Sequence, residues 1–238
     1  MNRLKNLATQ LTSHSIAQKD ADDVVICSAV RTPITKAKRG GLKDTAPEVM
    51  LSTVLKEVVT RANVEPKLVE DIAVGNNLAP GANQIPHRMG MLMAGFPDST
   101  SIVTINRLCS SGLETCSIIA AKIKAGVIDV GIGAGVESMS MYKMTDWVDE
   151  SKLCKEAKEK SAPACLMPMG VTSENVAERF GISRTQQDQL AMESHQKAAR
   201  AQEQGLFKDE IVPVKTSVID SKGESKDVTV IADDGIRK

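Results

Sequence analysis

The 238-residue chain is 42% hydrophobic and 25% charged, which is ordinary globular composition. Thirty basic residues balance thirty acidic ones, so nothing favours nucleic acid as a partner. No apolar run reaches the roughly 20 residues a membrane-spanning helix needs. Aromatics are only 2%, so the core has to come from Val, Ile, Leu, Met and Ala. The five cysteines (Cys27, Cys109, Cys116, Cys154 and Cys165) are odd in number and irregular in spacing. That excludes a disulfide framework, and no pair has zinc-ligand spacing. The expectation is a reduced, intracellular protein with most cysteines packed in the core and no metal.

The chain opens with a basic stretch. Arg3 and Lys5 precede any acid, and Leu4, Leu7 and Leu11 share one helical face. Residues 1–22 are expected to lie outside the fold. They read as a mitochondrial transit peptide, as a frayed terminus, or, through Arg3-Leu4 and Gln10-Leu11, as a type-2 peroxisomal signal.

Residues 24–30 are short, apolar and β-branched, which predicts a buried strand. A basic loop follows with Lys36, Lys38, Arg39 and two glycines. Asp44, Thr45 and Pro47 then mark a helix start, and Met50, Leu51, Val54, Leu55, Val58 and Val59 form its apolar stripe. Residues 69–74 predict a second strand, 86–94 a helix and 101–105 a third strand. Residues 109–125 form a helix that is apolar nearly all round, and such a helix belongs inside, covered on several sides. Residues 129–135 predict a fourth strand, rich in small residues. Strands alternating with helices imply an α/β layered domain with a mostly parallel sheet. After about residue 138 the texture turns polar. Ser183 and Gln186 then form a capping box that opens a long helix, and 211–214 and 228–231 predict short strands.

The chemistry concentrates at Asn106-Arg107-Leu108-Cys109-Ser110-Ser111-Gly112, where a strand ends and a helix begins. The first N–H groups of a helix lack intrahelical partners and carry partial positive charge, which favours a thiolate and could hold an oxyanion. From the residues alone, Cys109 is either a nucleophile or a packed core thiol. A nucleotide site at the Gly131–Gly135 run is disfavoured, because no suitable acid lies about 20 residues on.

This motif resembles the thiolase nucleophile motif, Asn-Arg-x-Cys-Ser-Ser-Gly. Other thiolase-like stretches follow the same order: Arg31-Thr32-Pro33, Glu137-Ser138-Met139, Met167-Pro168-Met169-Gly170, Asp209-Glu210-Ile211-Val212-Pro213 and Asp234-Gly235-Ile236-Arg237. The resemblance spans about residues 23 to 237 and is nearest the peroxisomal 3-ketoacyl-CoA type. It implies a thiolase-like fold, with a layered, mostly parallel sheet, a buried helix and an inserted loop domain. Residues 23–138 would be an incomplete N-terminal α/β domain, and 139–238 the loop domain covering coenzyme A.

The resemblance further implies that Cys109 accepts the acyl group and that Met169 and Arg237 contact substrate. Pro168 stands where some short-chain members carry a histidine. Coenzyme A would be a substrate, not a cofactor. The implied partners are acyl-CoA, a second subunit, and an import receptor reading residues 3–11. The implied location is the peroxisome, with the mitochondrion as the alternative. The family's second half is absent: no Gly-His-Pro, Cys-x-Gly or Asn-Glu-Ala-Phe occurs. His14, His87 and His195 all read as structural or solvated. The expectation is therefore a chain that does not turn over alone and that exposes an apolar patch. The rival is a non-catalytic fragment that binds acyl-CoA or dimerises with a full-length thiolase.

Overall fold

The computed structural model describes residues 22–143 and 148–237. The possible leader lies outside them. Helix α1 (Pro47–Ala62) begins with proline at its first position, where the missing N–H costs nothing. Glu48 in its first turn and Arg61 in its last complement the helix dipole. Asn63 ends it in the left-handed conformation, φ 53°, returning its N–H to Thr60 and Val59.

Strand β1 (Asp71–Gly75) lies between β2 (Ser101–Ile105) and β3 (Gly131–Gly135), and both pairings are parallel. Helices α2 (Gln84–Met93) and α3 (Ser111–Lys124) complete the α/β crossovers. The alternation along β1 sorts the layers. Ile72 and Val74 face one side, packing with Leu51, Leu55 and Val59 of α1 and Met91 of α2. Ala73 faces the other, with Ile119 of α3 and Ile128. Each fully buried large side chain contributes about 1.5–3 kcal/mol.

On the α3 side the floor is glycine. A Cβ on Gly133 would sit 2.9 Å from the Cα and N of Cys116, and one on Gly75 would sit 2.8 Å from the carbonyl carbon of Ser111. One on Gly131 would meet Ile119 at 2.9 Å. The glycine run therefore serves close helix–sheet packing. Thr115, fully buried, donates its hydroxyl to Gly112 and to Ala134 of β3. Lys122 pairs with Asp71, pinning the far end of α3 to the start of β1.

The later residues form short helices α4 (Lys155–Lys160) and α5 (Ala162–Cys165), then α6 (Met169–Phe180) and α7 (Arg184–Glu203). The expected Ser183–Gln186 capping box is present. An antiparallel hairpin of β4 (Val214–Ile219) and β5 (Ser225–Val230) follows. It packs on the α1 side through Val214, Met50 and Leu42.

Four expectations fail here. Residues 24–30 are not a strand: Val25 is 72% and Ile26 84% exposed, and only Arg31 makes an isolated bridge, to Ile211. β-propensity reports fit to a pleated surface, and no described strand supplies that neighbour. The strand expected at 211–214 begins instead at Val214, because Pro213 has no N–H for a ladder. Helix α3 is not covered on several sides; Leu113 is 73% exposed. All five cysteines are exposed rather than core residues. The expected apolar exposure is seen on α3 and also on α2, where Ile85, Met89, Leu92 and Met93 form an outward stripe. No described helix is long and apolar enough to cross a membrane.

The segment after residue 30 is tied down by Arg31. Its guanidinium meets Asp233 at 2.7 and 2.9 Å and Glu210 at 2.6 Å, and lies 5.3 Å from the Phe207 ring centre. That contact holds the Asp233 carboxyl below its usual range, mainly through the Arg31 hydrogen bond.

His87 on α2 is fully buried, and neither ring nitrogen has a partner. Burial pushes its pKa down from 6.5 to about 4. Between those values the unfolded chain binds a proton that the folded chain refuses. Stability is therefore full above the unfolded value and falls as pH drops toward 4, by at most about 1.4 kcal/mol per pH unit. Urea midpoints between pH 7 and 5 should show this slope, and His87→Leu should flatten it. A second expectation concerns the floor. Gly133→Val should destabilise the domain by about 1–3 kcal/mol, read as a lowered Tm, because backbone of α3 cannot yield to a side chain.

Candidate active site

Three loops meet at the carboxyl ends of the parallel strands, the edge where open α/β sheets present their sites. After β1 comes Asn76-Asn77-Leu78; after β2, the segment 106–110; after β3, Val136-Glu137. Asn76 is buried and fastens all three strands. Its N–H donates to Ile105 O at 3.1 Å, its Nδ2 to Val136 O at 2.7 Å, and its Oδ1 accepts from Ala79 at 3.0 Å.

Cys109 is exposed, and it lies in the turn before α3 rather than in the helix. The helix expected from residue 109 starts at Ser111 because Leu108 breaks the path, with φ 49°. A leucine in the left-handed region costs about 1–3 kcal/mol and persists only where its surroundings hold it. They do so here. Leu108 N–H donates to Asn106 Oδ1 at 2.9 Å. Ser111 Oγ donates to Leu108 O at 2.6 Å and accepts from Arg107 N–H at 2.8 Å. Ser110 Oγ donates to Arg107 O at 2.9 Å. Both serine hydroxyls thus serve the turn, and Ser110 does not cap α3 with its side chain. The result is an exposed thiol beside a helix N-terminus, whose N–H groups favour negative charge on an attacked carbonyl oxygen.

Among the described residues the Cys109 thiol has no hydrogen bond, and no histidine is bonded to it. His87, on α2, is fully buried. His195 on α7 accepts the N–H of Arg237 at 3.1 Å. Met169, the first residue of α6, is exposed, and so is Arg237. No hydrogen bond or ion pair among the described residues joins either to Cys109. Nor does any group of three or more His, Cys, Asp or Glu gather there as for a metal. The sequence reading gave no role to Asn106, Asn77 or Glu137. Asn106 and Glu137 stood inside the quoted thiolase-like stretches, and Asn77 was marked only by following the end of a strand. Leu108 carried no signal, because leucine does not favour this conformation.

The family description "Thiolase, N-terminal domain" matches residues 24–238. The chain is 52% identical over 219 residues to 3-ketoacyl-CoA thiolase 2, peroxisomal, of Arabidopsis thaliana, covering 91% of this chain and 47% of that one. It is 47% identical over 220 residues to 3-ketoacyl-CoA thiolase A, peroxisomal, of Mus musculus, covering 92% and 51%. Among solved structures, the dimeric peroxisomal thiolase of Saccharomyces cerevisiae superposes with a TM-score of 0.81 at 40% identity, covering 93% of this chain and 56% of that one. The chain thus spans about half the length of the curated relatives it matches. Fold, motif order and these likenesses agree: the chain belongs to the thiolase family, matching its N-terminal domain.

Proposed function

We propose that this chain carries the acyl-accepting part of a peroxisomal 3-ketoacyl-CoA thiolase of fatty-acid β-oxidation. The observation that carries the reading is Cys109, exposed on a strained turn at the N-terminus of α3. Its sulfur attacks the 3-keto carbon of the substrate. The C2–C3 bond breaks, its electron pair stays on C2, and the proton given up by the Cys109 thiol ends there, giving acetyl-CoA. The thiol of coenzyme A then attacks the Cys109 thioester, carries off the shortened acyl group and gives its proton to the departing Cys109 thiolate. Coenzyme A is a substrate here and not a resident cofactor.

In this reading residues 139–238 form the loop domain over coenzyme A, Met169 lines the pantetheine path and Arg237 sits at the adenine end. A second copy pairs with the chain, as in the relative described as dimeric. The edge position of β2 among the described strands and the outward apolar stripe of α2 support that reading. Residues 3–11 supply the peroxisomal address.

The reaction takes a proton from a thiol and delivers one to C2, and both transfers call for an acid–base group. General-base and oxyanion assistance are each commonly worth about 10²–10⁴-fold in rate. Among the described residues no histidine is bonded to Cys109 to make the first contribution. The purified chain should take up an acyl group from a 3-ketoacyl-CoA at Cys109, seen by peptide mass, without sustained release of acetyl-CoA. Cys109→Ser should abolish that adduct. Sustained turnover would contradict the need for a further base. Coenzyme A binding with no acylation would favour a non-catalytic acyl-CoA-binding fragment.

A further inference from the structure

We infer that Glu137 is a positioning residue for the Cys109 nucleophile, acting through Asn77 and Asn106; this rests on the thiolase reading above. Glu137 has no ion pair among the described residues. Its carboxylate instead accepts two successive backbone N–H groups in the neighbouring loop, Asn77 at 2.9 Å and Leu78 at 3.3 Å, with Asn76 Nδ2 at 3.4 Å. Bonds from amides to a carboxylate are stronger than neutral ones, so the loop after β1 is held to the loop after β3.

The chain of contacts continues toward the thiol. Asn77 O accepts from Asn106 Nδ2 at 2.9 Å, and the other end of that planar amide, Oδ1, accepts Leu108 N–H at 2.9 Å. One side chain therefore spans from a braced backbone carbonyl to the N–H of the strained residue beside the nucleophile. The left-handed Leu108 needs such a brace, since released it would relax to negative φ and carry Cys109 with it.

The sheet itself does not need Glu137. Asn76 already fastens the ends of β1, β2 and β3 through Ile105 and Val136, and Val136 N–H donates to Gly75 O at 3.0 Å. What Glu137 adds is the hold on Asn77 and Leu78, and the Asn77 carbonyl is the acceptor for Asn106 beside the turn that carries Cys109.

The test is alkylation of the full chain by iodoacetamide across pH 6 to 9, with each cysteine followed by peptide mass. Cys116 on α3 and Cys27 are exposed internal references. Glu137→Ala and Asn106→Ala should each slow Cys109 by about tenfold and displace its pH profile, with Cys116 and Cys27 unchanged. Glu137→Gln keeps an acceptor for Asn77 N–H and should recover most of the rate. An unchanged Cys109 in both alanine variants would overturn the inference. So would a uniform change at all cysteines, which reports general loosening. Iodoacetamide needs no substrate, so failure of acyl transfer in the parent chain is read separately and bears only on the thiolase proposal.

Discussion

The approach of α3 to a glycine floor is the constraint on which the site depends. Gly75, Gly131 and Gly133 have no side chains, and α3 lies so close that an added Cβ would collide with its backbone at Gly75 and Gly133 and with the Ile119 side chain at Gly131. That closeness fixes the height of the helix N-terminus above the sheet. Ser111, the residue that Gly75 admits, also supplies the hydroxyl that ties Arg107 to Leu108. Packing beneath the helix and geometry of the turn above it therefore meet in one residue. The thiol of Cys109 stands on both.

Strain is placed where it has a use. Leu108 is held left-handed by an asparagine side chain and two serine hydroxyls, none of which is then left to cap α3. The helix terminus keeps its positive character for a ligand instead. Across the sheet, His87 shows the opposite economy. It is a buried, unpartnered imidazole on a helix that turns four large apolar residues outward. Exposed apolar surface of that kind marks association. The relatives matched are about twice as long as this chain, and the solved yeast relative is dimeric.

Much of this was legible in the residues. The 3.6-residue stripe of α1, the strand at Ser101–Ile105 and the Ser183 capping box rest on local rules, and local structure follows them. The strand-to-helix junction at Cys109 was readable from the residues, whereas the acyl-accepting role came only from the thiolase resemblance. What failed depended on neighbours. Residues 24–30 have strand composition and no strand beside them. Helix α3 is apolar all round, yet one face meets solvent. The cysteines looked like core residues, and every one is exposed. The bend at Leu108 and the link from Glu137 through Asn77 to Asn106 were invisible. They are tertiary contacts between residues about 60 and 30 positions apart, and no local periodicity encodes them.

The most direct test of the account is Gly75→Ala, with iodoacetamide rates at Cys109 and Cys27 and a circular dichroism spectrum of the same sample. The added methyl meets the carbonyl carbon of Ser111, so the account predicts slowed alkylation of Cys109 alone, with helix content and the Cys27 rate retained. An unchanged Cys109 rate in a folded Gly75→Ala chain would show that the height of α3 does not set the nucleophile.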